Sequence, residues 1–249
     1  MRAFSPSRGR VVRAALVLSL ALAGACAVVE PPPGGPIDVT PPELVVISPD
    51  SGATGLGELK TLRLTFSEKM DRTSAVTWLH FFPDQRIRQT KWHGATEAEV
   101  ILEYPLTPDT VIVVEVAAGM RDAHKVPSRV SRRYPLATGD SIFAGTIEGV
   151  LIMADSAVTN GVVELYDVPP DTLEFFQQPL LRRTVTDRQG SYRFDWLPVP
   201  GGPWLVRAFT DPDNNLRPGD RDAQRLLPDT LSLTLDQAAA VAGVTTLYA

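Results

Sequence analysis

The sequence has almost no cysteine, because Cys26 is the only one among 249 residues. A single cysteine excludes an internal disulfide, so the folded part of the chain must be held by packing and polar contacts alone. Histidine is nearly as scarce. His80, His93 and His124 stand far apart and form no His-x-x-x-His pair, so their spacing indicates no zinc site.

Recognisable catalytic motifs are also missing from the sequence. It has no Gly-x-Ser-x-Gly nucleophile elbow and no glycine-rich phosphate loop ending in lysine and serine or threonine. Acidic pairs are frequent, but on an acidic protein they are most simply a solvated surface. We therefore predict that the chain is not an enzyme and has no catalytic residues.

Beyond the amino end the chain is poor in basic charge. The first 25 residues carry four of the 24 basic residues and none of the 29 acidic ones, so the remainder has a net charge of −9. A surface of that sign repels a phosphate backbone, and no basic cluster offsets it. This charge balance argues against a nucleic-acid partner.

The amino end has the pattern of an export signal. Four arginines precede an uncharged stretch, residues 14–25, that ends in small residues. Twelve residues are too few for a transmembrane helix, which needs about 20. The segment Leu22-Ala23-Gly24-Ala25-Cys26 then resembles a lipobox, the cleavage signal of bacterial lipoproteins, although leucine is commoner where Ala23 stands. The alternative is an ordinary signal peptide cut after an Ala-x-Ala pattern.

The lipobox resemblance implies that residues 1–25 are removed and that Cys26 becomes an acylated first residue. The partner would then be a membrane, reached through a lipid anchor. In a cell with two membranes, Ala27 is not the aspartate that retains such proteins on the inner membrane, so the resemblance favours the outer membrane. Residues 26–42 are rich in proline and glycine without periodicity, which predicts an extended tether.

Residues 43–139 have the pattern of an all-β domain. Leu62, Leu64 and Phe66 alternate with polar residues, which predicts a half-buried strand. The run TVIVVEV is continuously apolar enough to predict a strand that is buried on both faces or that lies centrally in a sandwich. The one short helix is predicted over residues 71–79.

Several blocks of residues 41–138 resemble the bacterial Ig-like domain first described in surface-layer proteins. The segment TPPELVVISPDSGATGLGELKTLRLTFSEKMD is similar to its opening, and PLTPDTVIVVEVAAGMRDAHKVPS is similar to its later signature. His124-Lys125 departs from the Gly-Asn turn of that pattern. The resemblance implies a β-sandwich with a structural or adhesive role.

The sequence pattern of residues 142–249 predicts a second set of strands. The loop Asp187-Arg188-Gln189-Gly190 predicts a hairpin, in which the glycine suits a left-handed backbone. Beyond it Tyr192, Phe194 and Trp196 alternate with polar residues. That aromatic face is either core, which is the commoner case, or an exposed binding strip.

This second part resembles the carboxypeptidase regulatory-like and prealbumin-like β-sandwiches. The blocks GTIEG, GVVELYD and TVTDRQGSYRFDWLPVPGGPWLVRAF carry the similarity over residues 143–210. The expected architecture is therefore all-β, with two consecutive β-sandwich domains, Ig-like and then prealbumin-like, after a signal peptide and tether.

The loop DPDNNLRPGDRD concentrates oxygen ligands. Asp211, Asp213 and Asn215 stand at alternate positions, and Asp222 is the twelfth residue, as in an EF-hand loop. A leucine occupies the place of the turn glycine, and aspartate replaces the final glutamate. The loop is either a calcium site or a strand connection whose Asp and Asn side chains bond their own backbone.

Together these patterns predict a non-catalytic lipoprotein of the cell envelope that acts in surface binding, adhesion or structural support. Two alternatives stay open. The chain is a β-sandwich accessory subunit of an envelope hydrolase, or it binds an envelope polysaccharide with the help of calcium.

Overall fold

The structure, a computed structural model, describes residues 35–168 and 178–247. Within these ranges nearly all regular structure is β-strand, and one α-helix of six residues accompanies it. The all-β prediction is therefore confirmed. Contacts group Val39–Ala249 into one compact unit, which contains two separate hydrophobic cores.

The first core lies between two antiparallel sheets, together called the first sandwich. Its strands are β1 (Leu44–Ser48), β2 (Thr61–Phe66), β3 (Leu79–Phe82), β4 (Ile87–His93), β5 (Glu97–Leu102), β6 (Val111–Val116) and β7 (Arg132–Ala137). One sheet has the order β1-β2-β5-β4 and the other β3-β6-β7. Both sheets contribute side chains to the same core, as the period of two in β2 requires: Leu62, Leu64 and Phe66 are buried there.

Strand β6 is buried along its whole length, as the sequence predicts. Ile112, Val114 and Val116 point into the first core. Val111 and Val113 on the other face are equally buried, although they belong to neither core. The second face of β6 is therefore covered from outside the first sandwich.

Helix α1 (Arg72–Thr77) begins at a capped end. The Asp71 carboxylate accepts hydrogen bonds from the backbone N–H groups of Thr73 and Ser74, at 3.0 and 3.2 Å, which satisfies two of the free donors of the first turn. The same carboxylate accepts a bond of 2.5 Å from Lys125, and this bond holds the pKa of Asp71 below its usual range. The predicted helix is thus present, within the predicted residues.

The second core lies between the remaining sheets, together called the second sandwich. Its strands are β8 (Gly145–Met153), β9 (Ser156–Ala157), β10 (Val162–Asp167), β11 (Leu180–Val185), β12 (Ser191–Leu197), β13 (Gly201–Phe209), β14 (Gln224–Leu226), β15 (Leu231–Leu233) and β16 (Ala239–Leu247). One sheet has the order β11-β10-β13-β14, with β15 also paired to β13. The other has the order β12-β8-β16, with β9 on β8.

The turn predicted at Asp187–Gly190 is present and joins β11 to β12, but the hairpin prediction is wrong: β11 and β12 belong to different sheets and do not pair with each other, so the turn carries the chain from one sheet to the other. Asp187 accepts bonds from the N–H groups of Gln189 and Ser191, both at 2.8 Å, which closes the loop. Gly190 has a φ of +74°, and a Cβ there would lie 2.4 Å from the Leu151 carbonyl oxygen. Both the backbone angle and the space therefore require glycine.

The aromatic face of β12 is core for two of its three residues. Tyr192 and Phe194 are buried and meet edge to face, with ring centroids 5.8 Å apart. The pairing of β12 with β8 shifts register after Phe194, and Trp196 has a φ of +58°. Because of this irregularity, the Trp196 side chain does not follow Tyr192 and Phe194 into the core. Trp196 is only partly buried.

Candidate functional site

The two sandwiches meet along strand β11, and a buried arginine lies at the contact. Arg182 donates to the carbonyl oxygens of Phe82 and Val111 in the first sandwich, both at 3.1 Å. It also donates to the Trp196 carbonyl oxygen of its own sandwich at 2.8 Å. Burial lowers the pKa of Arg182 to about 10, so the guanidinium is still charged at neutral pH. We call this contact region the junction.

The neighbouring Arg183 adds an ion pair across the junction. Its Nη2 lies 3.6 Å from Oε2 of Glu115, a buried carboxylate on the outer face of β6. Arg133 bonds the other oxygen of Glu115 at 3.1 Å. The Arg183 guanidinium also lies 5.3 Å from the centroid of the Phe82 ring. These contacts explain why the second face of β6 is buried: the second sandwich covers it.

A groove of about 600 Å³ opens beside the junction. One wall comes from the first sandwich and the other from the second. The groove is lined by Trp78, Arg121, Arg129, Asn160, Asp211 and Asp213, among others. Its lining therefore includes two arginines, two aspartates and an indole, a composition suited to a polar ligand with one apolar face. We call it the junction groove.

His80 lies in a smaller pocket at the junction, beside Arg183 and Arg217. Its Nε2 is buried and has no hydrogen-bond partner. Burial, assisted by the charges of Arg183 and Arg217, lowers the pKa of His80 to about 3. His80 therefore stays neutral in the folded protein over the whole physiological range.

We expect this histidine to make the protein sensitive to mild acid. Below pH 6.5 the unfolded chain protonates His80 while the folded chain does not, so the free energy of unfolding falls as the pH decreases toward 3. At pH 4.5 the loss from this residue is about 3 kcal/mol relative to pH 7. Urea denaturation at pH 7 and pH 4.5 measures this loss. Between the two pH values, the free energy of unfolding should fall less in His80→Gln than in the wild type.

His93→Gln is the matched control for this measurement. His93 lies on the exposed side of β4 and bonds Glu99 at 3.0 Å, so its replacement should leave the acid-dependent loss of the wild-type protein in place. Equal losses in the wild type and His80→Gln would contradict the assignment.

The loop predicted to bind calcium uses its side-chain oxygens on its own backbone. Asp211 is buried and accepts from the N–H groups of Asn215 and Leu216, at 3.0 and 3.1 Å. The Asn215 amide donates to Asp213 at 2.7 Å. Asp222 instead accepts from the Gly219 N–H group, at 2.6 Å.

The structure thus joins Asp211, Asp213 and Asn215 into one hydrogen-bonded turn, while Asp222 closes a separate one. Burial raises the pKa of Asp211, and its contact with Asp213 acts in the same direction. These hydrogen bonds are the ones expected if the loop is a strand connection whose Asp and Asn side chains bond their own backbone. Calcium binding by the four residues stays a prediction.

The predicted lipidation site, Cys26, lies outside the described residues. Among the residues that the structure does describe, no helix is both long and apolar enough to cross a bilayer.

The sequence analysis missed the residues that form the junction. Arg182, Arg183 and Glu115 lie in strands that the patterns do indicate, but a charged residue in a strand normally faces water. One signal was available: Glu115 interrupts the continuous apolar run of β6, where both faces are predicted to be buried. A charge in such a run requires a partner of opposite sign.

The fold and the junction define a class of protein, an all-β protein of two docked sandwiches. Residues 38–134 match the family model of the bacterial Ig-like domain, so the first sandwich is a domain of that kind, as the sequence predicts. The match favours a surface or structural role. No curated protein sequence matches the chain.

Several solved structures have a partial likeness to the chain. The N-terminal part of the bacterial S-layer protein SbsC is 14% identical, with a TM-score of 0.31, over 88% of this chain and 48% of that one. The major pilin subunit BcpA of Bacillus cereus is 9% identical (TM-score 0.27; 83% and 70% covered). An L,D-transpeptidase from Mycobacterium smegmatis is 16% identical (TM-score 0.29; 84% and 90% covered). The chain spans about half the length of the SbsC fragment, and likeness at this level implies no shared activity.

Proposed function

We propose that the chain is a non-catalytic lipoprotein of the cell envelope, anchored to the outer membrane through Cys26. Its two sandwiches act in binding, adhesion or structural support at the surface. The observation that carries this proposal is the bacterial Ig-like domain over residues 38–134. The lipobox-like segment before Cys26 supports the anchor, and residues 26–42 supply a tether between lipid and domain.

The junction supports a structural role for the folded part. Arg182 and the Arg183–Glu115 pair are buried between the sandwiches, and their polar groups are costly to separate from their partners. The junction therefore opposes separation of the two sandwiches, which is what a spacer or support requires.

Metabolic labelling with a clickable fatty acid tests the anchor. The wild-type protein should be labelled and the Cys26→Ser variant should not, because only a thiol at that position accepts the lipid. Ala27→Asp is the matched variant. In a cell with two membranes it should keep the label but move from the outer to the inner membrane fraction. Equal labelling of the wild type and Cys26→Ser would refute the lipoprotein proposal.

The junction groove favours a second candidate function, calcium-assisted binding of an envelope polysaccharide. Trp78 provides an apolar surface for a sugar ring, and the arginines and carboxylates around it provide hydrogen-bonding groups. Retention on purified cell-wall glycan, lost in Trp78→Ala and weakened by a calcium chelator, would favour this function. A stable hydrolase that co-purifies with the chain would instead favour the accessory-subunit alternative.

A further inference from the structure

A tight turn in the first sandwich brings together side chains that are distant in the sequence. Residues 122–125 form a reverse turn, in which the Lys125 N–H group donates to the Asp122 carbonyl oxygen at 3.2 Å. Ala123 donates to the Lys69 carbonyl oxygen at 2.9 Å, and Asp122 forms a β-bridge with Met70. This backbone pairing fixes the turn against the segment that follows β2.

The pairing places two carboxylates and an imidazole next to one another. Glu68, Asp122 and His124 each offer one ligand atom, and these atoms all lie within 4.8 Å of one another. Glu68 is half-buried, Asp122 is buried and His124 is exposed. The cluster is therefore open to solvent on the histidine side and enclosed on the aspartate side.

Asp122 is a fully buried carboxylate with an unused oxygen. Its relative exposure is 0%. One oxygen, Oδ1, accepts a hydrogen bond from the Val126 N–H group at 2.7 Å, but the other, Oδ2, has no partner in the protein. The nearby Lys125 ammonium bonds Asp71 instead. Because a buried carboxylate is stable only when it is paired or binds a metal, the unpaired Oδ2 atom points to a cation-binding site.

We propose that Glu68, Asp122 and His124 bind a divalent transition-metal ion, for which Zn²⁺ is the natural probe. Two carboxylate oxygens and one imidazole nitrogen suit zinc, whereas calcium prefers oxygen ligands alone. Ligand atoms of a tetrahedral zinc site lie about 3.3 Å apart. Rotation of the exposed His124 side chain allows that approach without moving the buried Asp122.

The bound ion would connect two parts of the first sandwich, the segment after β2 and the turn before β7. It would also neutralise the buried charge of Asp122. A ligand that binds only the folded state raises its stability. The site is separate from the loop of residues 211–222, and its histidine stands where the related Ig-like pattern has a Gly-Asn turn. The nitrogen ligand therefore belongs to this chain rather than to the general pattern.

Titration of the metal-free full chain with ZnCl₂ tests the proposal. A Cys26→Ser background removes the only thiol, which would otherwise compete for zinc. We expect one ion per chain by calorimetry, with a higher melting temperature in excess zinc. Co²⁺ in place of zinc should give visible absorption bands that change when His124 is replaced. His124→Gln should weaken zinc binding at least tenfold, and because the position is exposed the variant should fold like the wild type.

Two further variants make the result decisive. Glu68→Gln should weaken zinc binding as well, because it removes a charged ligand. His93→Gln, which removes another exposed histidine, one that bonds Glu99, should bind zinc like the wild type. Absence of zinc binding, or equal affinity in the wild type and His124→Gln, would overturn the proposal. Loss of binding in His93→Gln alone would overturn it too.

Discussion

Arg182→Met should lower the free energy of unfolding by about 3–5 kcal/mol, because several buried carbonyl oxygens lose their donor and each unsatisfied acceptor costs about 1–3 kcal/mol. Methionine fills much of the space but donates no hydrogen bonds. The buried carbonyl oxygens of Phe82, Val111 and Trp196 would then lose their partner. Urea denaturation measures the loss directly.

Hydrogen exchange adds a local readout for the same variant. The Asp84 N–H group donates to the Leu180 carbonyl oxygen across the junction at 3.2 Å. Its exchange should accelerate in Arg182→Met if the two sandwiches separate more easily. Exchange elsewhere in the first core, at β5 for example, should change less.

Arg193→Met is the control for Arg182→Met. Arg193 lies on the exposed side of β12, where it pairs with Glu148 and with Asp195. Exposed ion pairs contribute at most about 1 kcal/mol, so this variant should be nearly as stable as the wild type. Similar losses in the two variants would mean that the position of Arg182 at the junction is unimportant.

Phe194→Ala should also destabilise the protein strongly, by about 3–5 kcal/mol, because it leaves a cavity in a packed core. Phe194 is 1% exposed and packs against Tyr192 between the sheets of the second sandwich. Thermal or urea denaturation measures the effect. The result also decides between the two interpretations of the aromatic face, since a binding strip would lose ligand affinity without losing stability.

Tyr104→Ala serves as the comparison for Phe194→Ala. Tyr104 is an aromatic residue with 65% of its surface exposed, and surface substitutions usually change stability by less than about 0.5 kcal/mol. If Phe194→Ala were equally mild, the aromatic face of β12 would not be a core face.

Strand β16 illustrates where sequence patterns fail for the fold. Its residues, AAVAGVTTL, are mostly small and lack a regular alternation, and no strand was predicted there. The structure places β16 parallel to β8, with Ala239 opposite Thr146 and Leu247 opposite Met153. A parallel pair of strands needs a long connection, so the partner that makes β16 a strand is remote in the sequence.

Sequence patterns also fail to predict those contacts of the candidate sites that join residues remote in the sequence. The turn bonds of Asp211 and Asn215 are local, and the sequence analysis named them as one interpretation of that loop. The ion pair between Arg183 and Glu115 joins the two sandwiches, and the meeting of Glu68 with Asp122 depends on how two distant turns pair. The residues of each contact lie far apart in the sequence, so a search for motifs with fixed spacing does not find them.

The sequence by itself determined the all-β class, the strands with a clear period of two, the short helix within residues 71–79 and the turn at Asp187–Gly190. Each depends on interactions between residues a few positions apart, so the local order of residue types is sufficient. Only the tertiary structure decided what covers the second face of β6, how Arg182 is satisfied and which groups surround Asp122. Those outcomes depend on which distant surfaces exclude water from one another, and burial then selects the partners that each charge must have.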